Sequence, residues 1–96
     1  MNAYELTVVL PGKITPAKKK QVLEKIESLI KTLKGKVKKI EEWGEIELAY
    51  TIKKNTTGFF LHFILELESK SGKILNSKFR LEEDIIRYLL IKGGDL

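Results

Sequence analysis

His62 is the only histidine in the chain, Arg80 and Arg87 are the only arginines, and there is no cysteine. Without thiols there is no disulfide, no thiolate nucleophile and no cysteine-held metal, and a reducing compartment is the simpler expectation. His62 could serve as a general base, but the sequence offers it no orienting partner. Serine, histidine and carboxylate fall in no triad spacing. No glycine-rich loop leads from a strand into a helix, so that kind of phosphate cradle is missing. Glu41, Glu42, Glu45 and Glu47 are the densest carboxylates. They read as a solvated strand edge rather than a metal site, because hard cations gather oxygens within one tight loop. These residue types point away from an enzyme, a cofactor, a metal or a small-molecule substrate.

What remains is binding. Gly58–Glu68 reads Gly-Phe-Phe-Leu-His-Phe-Ile-Leu-Glu-Leu-Glu. With a period of two, Phe59, Leu61, Phe63, Leu65 and Leu67 make one wholly apolar face, which belongs to a core. Phe60, His62, Ile64, Glu66 and Glu68 make the other, apolar at its start and acidic at its end. If nothing covers Phe60, His62, Ile64 and Val9, that surface can stack unpaired bases or dock a protein. Arg80 and Arg87 are better phosphate forks than any single lysine. The net charge of +5 is unevenly spread, with ten lysines from Lys13 to Lys39 against Glu24 and Glu27. A basic half of this kind suits a polyanion partner, and it equally describes a solvated helix face.

Sheet and helices must position these groups. Tyr4–Leu10 alternates as a strand, with Leu6, Val8 and Leu10 on one face, and Pro11-Gly12 stops it. Thr15 suits a helix cap and Pro16 the first helical position. Val22, Leu23, Ile26, Leu29, Ile30 and Leu33 then form an apolar stripe, and Gly35 is placed to end the helix in a left-handed conformation. Lys36–Lys53 is extended, and its apolar parity changes near Trp43-Gly44, which predicts a bulge. Lys54–Gly58 is the expected hairpin turn. The sequon-like Asn55-Thr56-Thr57 within it is an accident of turn composition. Ser69–Leu81 is a second helix, with Ser71 as cap and Ile74, Leu75 and Phe79 as apolar face. Glu82-Glu83-Asp84 is an acidic connector and Ile85–Lys92 a final strand.

The order strand, helix, strand, strand, helix, strand predicts an α+β, ferredoxin-like split βαβ fold (βαββαβ). It is a four-stranded antiparallel sheet with the first and third strands central and two helices on one face. Residues 1–96 are expected to form a single domain. A chain this long buries roughly two-thirds of its unfolded surface. The predicted core is Leu6, Val8, Ile26, Ile30, Val37, Leu65, Leu75 and Phe79. No apolar run nears the roughly 20 residues of a membrane span. The N-terminus has no signal-peptide pattern, so the cytoplasm is the expected setting, with no membrane partner.

Gly44–Lys53, Gly-Glu-Ile-Glu-Leu-Ala-Tyr-Thr-Ile-Lys, resembles the signature of the bacterial small-subunit ribosomal protein S-six family. That signature runs glycine, a short and usually basic pair, Leu-Ala-Tyr, any residue, Ile and a basic residue. Tyr4-Glu5, Gly58-Phe59-Phe60, Phe79-Arg80-Leu81 and Ile85-Ile86-Arg87-Tyr88-Leu89 recur in the family's order across nearly the whole chain. The resemblance implies a non-catalytic structural constituent of the small ribosomal subunit. It would bind small-subunit ribosomal RNA together with ribosomal protein S-eighteen. Carried over by position, Arg80, Arg87 and Lys92 match basic residues late in the pattern, and Lys53 matches the basic residue closing the signature. These are the implied RNA contacts. Tyr4, Phe60 and His62 fall where the family has aromatic or polar residues on the first and third strands, and with Ile64 they are the implied partner surface. Ile46 and Glu47 stand where many members are basic, which removes support for an RNA contact there. Members often carry a longer tail than the one ending here at Leu96, so pairing would rest more on the folded domain. The alternative is a free-standing RNA- or protein-binding module, or an engineered scaffold, of the same plan that uses Phe60 and His62 directly.

Overall fold

β1 (Asn2–Pro11), α1 (Pro16–Thr32), β2 (Lys36–Ile52), β3 (Asn55–Leu67), α2 (Ser69–Arg80) and β4 (Arg87–Lys92) follow one another along the chain. The computed structural model describes residues 2–52, 54–82 and 84–93. Every strand pair is antiparallel and the sheet runs β2-β3-β1-β4. This is the ferredoxin-like split βαβ fold, with β1 and β3 in the centre. The apolar composition of β3 suits that position, since a central strand has covered neighbours on both sides.

Strand alternation decides which side chains meet the helices. Leu6 pairs with Phe63 and Leu90, and Val8 with Leu61 and Tyr88. These point the same way, onto Val22, Ile26 and Ile30 of α1 and Leu75 and Phe79 of α2. Of the predicted core, Leu6, Val8, Ile26, Ile30, Leu65, Leu75 and Phe79 are buried in this cluster, and Val37 is half-buried against it. Full burial of a side chain such as Phe63 stabilises by roughly 1.5–3 kcal/mol.

Local details differ from the sequence-based expectations at several points. α1 starts as predicted, with Thr15 Oγ1 accepting from the Lys18 backbone N–H at 3.2 Å. It ends differently. Lys34, not Gly35, takes the left-handed conformation, at φ 62. Lys34 N–H donates to the Lys31 carbonyl at 3.0 Å and Gly35 N–H to the Ile30 carbonyl at 2.9 Å, which is a Schellman closure. Gly35 is required for space instead: a Cβ there would run into Leu67 and stand 2.6 Å from the Glu66 carbonyl oxygen. The hairpin turn is tighter than Lys54–Gly58. β3 already begins at Asn55, paired with Ile52, and Lys54 turns the chain at φ 66. Ser71 does not cap α2, which begins at Ser69 after Glu68. Ser71 shares the inner face with Leu75 and Phe79 and is buried there, because the three are spaced four apart. Ile85 and Ile86 precede β4 as buried residues, with Ile86 N–H donating to the Val9 carbonyl at 2.9 Å.

Candidate nucleic-acid and protein interface

The sheet face turned away from the helices is set by register. Glu5, Thr7 and Val9 of β1, Phe60, His62 and Ile64 of β3, and Arg87, Leu89 and Ile91 of β4 share it. Irregularities in β2 then roof part of this face. From Glu42 to Gly44, β2 takes two steps while β3 takes one, from Leu61 to Phe60. The surplus residue is Trp43, and Gly44 turns at φ 86, a conformation that side chains resist. This is the bulge that the parity change predicted.

The bulge lays the Trp43 indole on the His62 ring, with centroids 4.7 Å apart and planes 12° from parallel. Trp43 stays 48% exposed while the His62 side chain beneath it is 12% exposed. His62 Nδ1 lies 3.0 Å from Thr7 Oγ1, its direct partner across the ladder. His62 Nε2 lies 3.5 Å from Glu5 Oε1, two pairs along and on the same face. The orienting groups that the sequence did not display for His62 therefore come from cross-strand register. Hydroxyl, imidazole and carboxylate stand in a row, but β1 is paired on both sides. Its backbone N–H groups are held in the ladders and cannot serve an oxyanion. The row satisfies half-buried polar groups and holds the face rigid.

A larger irregularity follows. From Glu47 to Ile52, β2 takes five steps, while β3 takes two from Thr57 to Asn55. The surplus residues bow out around Leu48-Ala49-Tyr50 and lean across the sheet. Arg87 Nη1 donates to Tyr50 Oη at 2.8 Å, although β2 and β4 are opposite edges of the sheet. Beneath the bow lies a groove of about 350 Å³, lined by Val9, Leu48, Tyr50, Phe60, Arg87 and Leu89 among others.

The helix side carries the cations. On α1 several lysines are tied down: Lys18 to Asp84 at 3.6 Å, Lys25 to Glu82 at 3.5 Å, and Lys19 to Glu42 at 3.6 Å while lying over the Phe59 ring. α2 has no acidic residue at all. Lys73, Asn76 and Arg80 fall on one flank of it. That flank faces β4, because Tyr88 Oη donates to Asn76 Oδ1 at 2.7 Å. Lys92 lies on the same face of β4 as Tyr88 and pairs with Tyr4, whose ring lies against Gly72 at the start of α2. Lys73, Arg80 and Lys92 thus form a rim along the α2–β4 edge. None of the three has an ion pair among the described residues.

The predicted site residues sort accordingly. Arg80 and Lys92 come together on the rim, and Arg87 lies on the opposite face, under the bow. Lys53 lies outside the described residues. Phe60, His62 and Ile64 share the sheet face turned from the helices as expected, but that face is not left uncovered: Trp43 lies on His62, and Phe60 lines the groove under the bow. Tyr4 does not: it is 7% exposed, because it has the parity of Leu6 and Val8 and points into the core. Lys73 was missed, and its signal was the seven-residue spacing from Arg80 on a helix without acids. Tyr50 was also missed as a site residue although it is the tyrosine of the Leu-Ala-Tyr signature, since its contact with Arg87 crosses the whole sheet. Among the described residues, no group of histidine and carboxylates is arranged to hold a metal ion, and no helix is long and apolar enough to cross a membrane.

Residues 3–92 match the family model described as ribosomal protein S6. The small ribosomal subunit protein bS6 of Pelagibacter ubique is 34% identical over 96% of this chain and 76% of its own length. That of Alkaliphilus metalliredigens is 32% identical, over 96% of this chain and 97% of its own length. Among solved structures, the crystal structure of 30S ribosomal protein S6 from Thermotoga maritima superposes with a TM-score of 0.89 at 22% identity. The match covers 96% of this chain and 87% of that one.

Proposed function

The chain belongs to the ribosomal protein S6 family, and from that premise we propose that it is a non-catalytic, single-domain constituent of the small ribosomal subunit in the cytoplasm, binding small-subunit ribosomal RNA and ribosomal protein S-eighteen through separate surfaces. The observation that carries this reading is the division of the molecule. A cationic rim of Lys73, Arg80 and Lys92, without ion pairs among the described residues, stands on the helix side. An aromatic and apolar face stands on the other. A phosphate backbone is recognised by fixed cations, and a protein neighbour by partly exposed apolar and aromatic groups with a polar rim. Arg80 and Lys92 contact phosphates on the rim, with Lys73 beside them. Arg87 offers the donors that Tyr50 does not use, and Lys53 contributes by position in the signature. Phe60, His62 and Ile64, continued by Trp43, Leu89 and Ile91, receive S-eighteen.

The test is binding of a small-subunit ribosomal RNA fragment, with and without S-eighteen, across a salt series. Binding is expected at low salt, stronger with S-eighteen present, and falling steeply as salt rises. No binding at low salt under either condition overturns the proposal.

A further inference from the structure

The groove under the β2 bow is not part of the cationic rim; it borders the face given to S-eighteen, sharing Phe60 and Leu89 with it, and it holds Arg87. We propose that it receives one unstacked nucleotide of RNA, with the base against the Tyr50 ring and the phosphate on the Arg87 guanidinium. The inference rests on the reading that the chain binds RNA, and it specifies how. At about 350 Å³ the groove has the capacity of a small-ligand site. Its lining is largely apolar, with Val9, Leu48 and Phe60, and suits the edge and face of a base. Tyr50 is 63% exposed, so its ring is free to stack. Its hydroxyl is held by Arg87 Nη1 at 2.8 Å, so the ring and the cation are fixed relative to each other before a ligand arrives.

Charge selects the ligand. Among the described residues, Arg87 is the only charged one lining the groove, and no carboxylate lines it. One of its N–H groups is engaged by Tyr50 and the others remain for an anion. The site therefore pairs an anion with a flat apolar group a short distance away, which is the chemistry of a nucleotide. A peptide ending in an apolar residue with a free carboxylate would use Arg87 but would leave the exposed ring face without a function.

Isotope-labelled protein titrated with single-stranded hexaadenylate tests this, followed by nuclear magnetic resonance. A tripeptide ending in leucine with a free carboxylate is the competitor. The expected result is that hexaadenylate shifts the signals of Tyr50, Arg87 and Leu89. Tyr50→Ala should weaken its binding about tenfold, the size of one stacked base. Arg87→Gln should weaken it comparably. Leu89→Glu, at an exposed position that the fold tolerates, should abolish binding by setting a carboxylate beside Arg87. Unaltered binding to Tyr50→Ala and Arg87→Gln overturns the proposal, and so does tighter binding of the tripeptide. If those two variants are unaffected while the ribosomal RNA fragment still depends on Lys73, Arg80 and Lys92, the groove assignment falls and the RNA reading stands. If the wild type binds neither RNA, both fall.

Discussion

Replacing Lys73, Arg80 and Lys92 together by glutamine should change the salt dependence of RNA binding by a calculable amount. The three cations stand along one edge and have no ion pairs among the described residues. Lys73 and Arg80 are two helical turns apart, or about 10 Å along α2. Lys92 stands beside them on β4, its partner Tyr4 lying against Gly72 at the start of α2. The rim is thus long enough for each cation to meet its own phosphate. Each neutralised phosphate contributes about 0.7 to 0.9 to the slope of log K against log salt, so the triple variant should lose about 2.1 to 2.7 from that slope. Between about 50 and about 200 mM salt, the wild type should then lose roughly 20- to 40-fold more affinity than the variant. The assay is filter binding to the ribosomal RNA fragment with S-eighteen present, at five or more salt concentrations. A control changes Lys18, Lys20 and Lys25 on α1, where Asp84 and Glu82 already hold two of the ammonium groups. Its slope should fall by no more than about one unit. All three rim positions are exposed, so stability should stay within about 0.5 kcal/mol of wild type. If the control lowers the slope as much as the rim variant does, or the rim variant binds weakly with an unchanged slope, the rim is not the RNA contact.

Four further outcomes follow from particular contacts. Gly44→Ala meets no atom within 4 Å of the new Cβ, so only backbone strain acts; it should cost about 1–2 kcal/mol in denaturant unfolding and shift the emission of Trp43, the only tryptophan, as its stack on His62 loosens. Lys34→Gly should raise stability by about 0.5–1 kcal/mol, since a left-handed lysine costs more than the added glycine entropy, and the thermal midpoint reads it directly. Phe63→Ala should cost about 3–5 kcal/mol, enough to bring a marginal domain near unfolding. Phe60→Ala, on the other face of the same strand, should leave a folded protein by circular dichroism whose affinity for S-eighteen is reduced.

The sequence by itself determined the element order, the antiparallel plan, the core and the start of α1. Each rests on local rules. A period of two separates Leu61 from Phe60, a period near four gathers Val22, Ile26 and Ile30, and Thr15-Pro16 satisfies the free N–H groups of a first turn. The bulge at Trp43-Gly44 was legible for the same reason, because one surplus residue inverts the parity that follows it. Tyr4 is buried, not surface as the resemblance implies, because the same parity places it with Leu6. Tertiary structure alone decided the rest. That Arg80 and Lys92 share an edge while Arg87 faces the other way depends on which strands neighbour α2 and on β4's register against β1. That Glu5 and Thr7 hold His62, that Trp43 covers it, and that Tyr50 reaches Arg87 across two intervening strands depends on register and on how far β2 bows. Those distances are long in sequence and short in space. They are fixed only when burial of Leu6, Phe63 and their neighbours locks the strands in one alignment, and no local pattern contains that information.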